Sequence, residues 1–83
     1  MMETKDFFEE LKKNFPLCFF TLKGNKIKAH EGSVVSGFPL YNFTRFSFPY
    51  KLGVHFEFAD FLEEYNAYAK IGKEGELVVR REK

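Results

Sequence analysis

The sequence predicts an α+β domain in which two helices pack on an antiparallel sheet of four to five strands. The order is αββ(β)αββ and the arrangement a two-layer sandwich. Three observations carry this. Apolar residues recur at helical spacing in two separate segments, and each segment is followed by a hairpin signal, Gly24-Asn25 or Lys73-Glu74-Gly75. The chain has 83 residues, enough for one core, so residues 1–83 form a single domain. Twelve Phe and four Tyr make 19% of the chain, the payload a small domain needs in order to fold. That content argues against disorder, and a net charge of +1 argues against a strongly basic arm or an acidic tail.

Phe7, Phe8, Leu11 and Phe15 lie on one face of a 3.6-residue period and define the first helix. Thr4 or Asp6 is placed to cap it, with Glu9 three residues after Asp6 as in a capping box. Pro16 disfavours helical geometry at Phe15, so the helix ends near Asn14. Residues 17–31 then read as a hairpin around Gly24-Asn25. Its register sets Lys23 opposite Lys26, Leu22 opposite Ile27, Phe20 opposite Ala29 and Phe19 opposite His30. Leu22, Ile27, Phe20 and Ala29 face the core; Thr21, Lys28, Phe19 and His30 face outward.

Residues 32–53 carry the weakest periodicity. Val34-Val35 suits a strand extension, Gly37-Phe38-Pro39 a turn, and residues 43–47 a short strand inside a long loop. From Val54 the helical spacing returns through Phe58, Phe61, Leu62 and Tyr65. The alternation over Val54-His55-Phe56-Glu57-Phe58 also fits a strand, but the helical pattern runs further. Asn66 suits a left-handed helix end. In the closing hairpin, a loop at Lys73-Glu74-Gly75 sets Ile71 opposite Leu77 and Ala69 opposite Val79, leaving Tyr68, Lys70, Val78 and Arg80 outward. Asp6-Phe7-Phe8-Glu9-Glu10-Leu11 echoes Asp60-Phe61-Leu62-Glu63-Glu64-Tyr65. A duplicated αββ unit would leave such an echo, but the strands repeat nothing, which favours convergence of two short amphipathic helices.

Charge is distributed unevenly. Residues 54–66 hold Glu57, Asp60, Glu63 and Glu64 with no Lys or Arg, whereas both hairpins are net positive. The helices are therefore expected to form an acidic layer and the outer sheet face a basic one. On that face Phe19, Lys28, His30, Tyr68, Lys70 and Arg80 are the candidate binding residues. Their types suit single-stranded nucleic acid, with bases stacked on rings and phosphates neutralised by cations. They also suit a protein interface, with Leu17, Phe19 and Val78 as its apolar component.

Chemistry beyond binding has little support in the sequence. Cys18 is the one cysteine, in the apolar run Leu17-Cys18-Phe19-Phe20, and reads as a small core hydrophobe. His55 and Glu57 point about 200° apart on a helix and cannot share a ligand, so His55 reads as a surface or loop-packing residue and no metal is expected. Ser33, Ser36 and Ser47 lack a nucleophile-elbow context, and no glycine-rich phosphate loop occurs. No catalytic residue and no cofactor is expected. Acids near the start replace the apolar stretch of a signal peptide, and no run is long enough to span a membrane, so the expected setting is cytoplasmic.

Gly37-Phe38-Pro39-Leu40-Tyr41, followed by Tyr50-Lys51-Leu52-Gly53-Val54-His55-Phe56-Glu57, resembles small uncharacterised α+β proteins of bacterial mobile elements and phage-like regions. The resemblance covers residues 37–80 and departs in lacking a Trp in the closing hairpin. It implies a helix rather than a strand at residue 54, and it implies no activity. The expected function is a non-catalytic protein-binding or adaptor module, whose partner is another protein or a second copy of the chain. The alternative is single-stranded nucleic-acid binding through the basic-aromatic sheet face.

Overall fold

The computed structural model describes residues 2–43 and 52–81. The described residues form an α+β fold with two helices, one four-stranded antiparallel sheet and two small two-stranded sheets. Helix α1 spans Thr4–Asn14 and buries Phe7 and Leu11. It ends where Pro16 requires, and the Phe15 N–H closes the last turn on the Leu11 carbonyl at 2.9 Å. The expected side-chain cap is not made: Glu3 occupies the N-cap position, without a side-chain hydrogen bond.

The main sheet has the order β1-β2-β8-β7. Strands β1 (Phe20–Lys23) and β2 (Lys26–Ala29) form the first hairpin; β7 (Ala67–Ile71) and β8 (Leu77–Arg81) form the second. Both registers match the expectation residue for residue, with Leu22 opposite Ile27 and Ala69 opposite Val79. Gly24 (φ 62°) and Gly75 (φ 83°) supply the positive φ that each turn needs. The two hairpins join through β2 and β8, where Ile27 lies opposite Val79 and Ala29 opposite Leu77. Those four residues are central to the core cluster, which also holds Phe7, Leu11, Phe15, Phe58, Phe61 and Leu62 from the helical segments.

Between the hairpins the described residues form two further strand pairs that the periodicity does not predict. Val34–Val35 (β3) pairs with Phe38–Pro39 (β4) across Ser36-Gly37, whose φ values are 50° and 83°. Two successive positive φ values are the requirement of a type I′ hairpin turn. Phe38 and Pro39 are thus a strand, with the turn one step earlier than expected. Tyr41–Phe43 (β5) then pairs with Leu52–Val54 (β6), and the Tyr41 hydroxyl donates to the Gly75 carbonyl at 2.8 Å, fixing this pair to the β7–β8 turn. The strand expected at residues 43–47 falls, apart from Phe43, outside the described residues.

Helix α2 spans Phe56–Glu64, and Asn66 follows it at φ 53°. The expected start at Val54 is therefore corrected. Val54 pairs with Tyr41 as the last residue of β6, so the strand and the helix each claim part of the stretch that fitted both patterns.

Candidate functional site

The six expected site residues divide between the outer face of the main sheet and one of its corners. On the outer side of the main sheet, Thr21, Lys28, Val78 and Lys70 form a row across all four strands. Tyr68 lies opposite Arg80 one step along, and both are exposed. Lys28 is engaged already: its Nζ lies 3.3 Å from Glu76 Oε2. The Glu76 carboxylate also accepts from the Glu74 N–H at 3.0 Å. Its own backbone N–H, with Lys28 and the Glu74 N–H, holds this carboxyl below the ordinary 4.5. A Cβ at Gly72 would collide with that carboxylate, so the glycine leaves the room in which Glu76 staples the turn.

His30 and Phe19 meet at the corner of this face. The His30 N–H donates to the Phe19 carbonyl at 3.0 Å, and His30 Nε2 lies 2.9 Å from Thr21 Oγ1. The Phe19 ring lies over Gly32, where an added Cβ would come within 3.2 Å of it. Beneath the corner, the buried Ser33 hydroxyl accepts from the Phe19 N–H at 2.8 Å and donates to the His30 carbonyl at 2.7 Å. The serine that offered no nucleophile context is thus a structural clamp, with both roles of its hydroxyl in use.

The apolar component expected of this face is smaller than the register implied. Val78 points outward yet is only 3% exposed, and it stands outside the core cluster. It lies between Lys28 and Lys70, whose aliphatic stems can shield a small residue while their charges stay in water. Thr21, Tyr68, Lys70 and Arg80 on this face are exposed, while Lys28 and His30 are half-buried. Leu17 is 64% exposed but belongs elsewhere, since its carbonyl accepts from the Val34 N–H.

A second surface gathers the exposed aromatics that the helical stripes did not use. Phe38 is 65% exposed and Phe56 68% exposed, with His55 between them. The His55 ring stacks on Phe56 at 4.9 Å between centroids and lies 6.4 Å from Phe38. His55 is held from two sides: its backbone N–H donates to Leu40 at 2.8 Å, and its Nδ1 accepts from the Glu57 N–H at 3.2 Å. It is therefore the N-cap of α2, a more definite role than the surface position expected. The β3–β4 turn delivers Phe38 and the helix start delivers Phe56, so the corner depends on both elements.

Cys18 is half-buried, its Sγ donating to the Val34 carbonyl at 3.4 Å. Burial pushes the thiol up from 9.0 to about 11, which suits an inert side chain. Among the described residues, no group of three His, Cys, Asp or Glu side chains could hold a metal ion. No described helix is long and apolar enough to cross a membrane.

This fold and these surfaces define a small α+β domain with a cationic sheet face and a separate aromatic corner. No family model, curated protein or solved structure matches the chain.

Proposed function

We propose that the chain is a non-catalytic protein-binding module that docks another protein, or a second copy of itself, through the Phe38–His55–Phe56 corner. The observation that carries this is the exposure of two phenylalanines about one histidine ring, at 65% and 68%. Single exposed apolar residues are ordinary, but a cluster of aromatics held by a cap and a turn is the composition of an interface anchor. The reading takes the two helices as one layer over the inner face of the sheet, supported by the core cluster they share with β2 and β8. It places the chain in a reducing, cytoplasmic setting, where Cys18 stays a thiol. The test is retention of partner proteins from lysate by the full chain. Retention is expected to survive nuclease and to be lost in Phe38→Ser/Phe56→Ser.

A second reading has an observation of its own. Lys28, Lys70, Arg80, Tyr68 and His30 share the outer sheet face, the chemistry of a platform for single-stranded nucleic acid. It predicts that a labelled oligonucleotide binds with an affinity falling steeply with salt, and that neutralising Lys28, Lys70 and Arg80 removes the binding. The protein-binding reading ranks first, because Glu76 already engages Lys28 and, among the described residues, Tyr68 and Phe19 are the rings this face offers to bases.

A further inference from the structure

We propose that the groove along the open side of α2 takes a lysine- or arginine-bearing, leucine-containing segment of the partner protein. This rests on the protein-binding reading and adds the charge class of the partner. Two shallow clefts, of about 400 and 230 Å³, share Asn14, Phe15 and Glu57 and so form one groove. It runs between the C-terminal end of α1 and the exposed side of α2, and reaches the aromatic corner at Glu57, the residue after Phe56.

The two ends of the groove differ in chemistry. At one end Glu57, Asp60 and Glu64 surround a floor made by Phe15 and Phe61, whose rings meet nearly perpendicular at 5.2 Å. Helix α2 carries no Lys or Arg, and neither ion pair among the described residues, Lys12 with Glu9 or Lys28 with Glu76, uses these acids. Carboxylates beside an apolar floor favour a cation on an aliphatic stem, through charge-assisted hydrogen bonds to its head and contact along its stem. At the other end Pro16, Leu17 and Val34 are apolar, with Leu17 standing 64% exposed. A segment with cations at one end and an aliphatic side chain at the other complements both. A polyanion does not, since the acidic end repels phosphates.

The probe is an acetylated, amidated hexapeptide of alternating lysine and leucine, titrated into the ¹⁵N-labelled full chain, with a glutamate–leucine hexapeptide as control. The basic peptide is expected to shift the amides of Asn14, Leu17, Asp60 and Glu64 saturably, at about 1 mM or below, and the acidic one is not. Asp60→Lys/Glu64→Lys, at exposed positions, is expected to keep a dispersed spectrum and to weaken binding by about tenfold or more. The proposal is overturned if the groove amides do not move, if the shifts fall on the Lys28–Tyr68–Lys70 face, or if both peptides act alike. It is also overturned if the groove shifts appear on concentrating the protein alone, which assigns the groove to a second copy. Failure here, with lysate partners still lost in Phe38→Ser/Phe56→Ser, removes the charge class and leaves the protein-binding reading standing.

Discussion

Phe56 and Phe58 stand two residues apart on one helix, and replacing each by alanine tests which phenylalanines the fold requires. Phe58 is fully buried, with its ring 5.1 Å from that of Phe15 and 6.1 Å from that of Phe20. Removing it deletes two aromatic pairs, each worth about 0.5–1.5 kcal/mol, and opens a cavity between α1, α2 and β1. The full cost of a buried Phe→Ala change is about 3–5 kcal/mol. That is a large share of the roughly 5–15 kcal/mol that holds a domain together. Phe56, 68% exposed, loses almost no burial, and alanine continues a helix better than phenylalanine does. Its replacement is expected to change stability by no more than about 0.5 kcal/mol. Urea unfolding followed by far-UV circular dichroism reads both. With a slope of about 1 kcal/mol/M, Phe58→Ala moves the midpoint down by about 3 M or leaves the chain unfolded, while Phe56→Ala leaves it within about 0.5 M. A loss above about 1.5 kcal/mol for Phe56→Ala would show that its ring is packed in solution, and it would then not be free for a partner.

Other outcomes follow from the same structure. Ser33→Ala strands the Phe19 N–H beneath the corner and is expected to cost about 1–3 kcal/mol by thermal unfolding. Gly37→Ala meets no neighbour within 4 Å, so its cost is backbone strain at φ 83°, about 1–2 kcal/mol. The Cys18 thiol, raised from 9.0 to about 11, contributes stability that is full below pH 9 and lost as pH rises toward 11. Relative to Cys18→Ala, the wild-type chain should weaken across that window, and its thiol should alkylate far more slowly at pH 8 when folded than when unfolded. Glu76 is shifted the other way, so its contribution is present above 4.5 and lost as pH falls below it. Glu76→Gln is expected to flatten that acid limb of the stability curve.

Both hairpin registers were legible because one glycine in each turn fixes every later pairing, and a slip would turn Ile27 or Val79 out of the core. The end of α1 was equally legible, since Pro16 acts locally. The stretch from Val34 to Val54 was not, because strands of two or three residues are too short for an alternation to register. Ser36 adopts a positive φ that a non-glycine residue rarely advertises. Val54 misled because it sits four residues before Phe58, where a helix would place it, while its actual partner is Tyr41 across a ladder. The outward positions of the sheet-face residues follow from the register alone, but the register carries no signal that Val78 is only 3% exposed. The aromatic corner joins residues 38 and 56 through tertiary structure, so its only trace in the sequence was a set of phenylalanines that no amphipathic stripe absorbed.

On the proposed reading, Phe38 and Phe56 serve a protein partner rather than the fold. Retention of lysate proteins by nuclease-treated samples of the wild-type chain, of Phe38→Ser/Phe56→Ser and of the variant neutralised at Lys28, Lys70 and Arg80 tests it most directly. Protein partners are expected to be held by the wild-type chain and by the neutralised variant, and lost by the double serine variant at unchanged thermal stability. Partners that vanish with nuclease or with the sheet cations, and persist without Phe38 and Phe56, would contradict it.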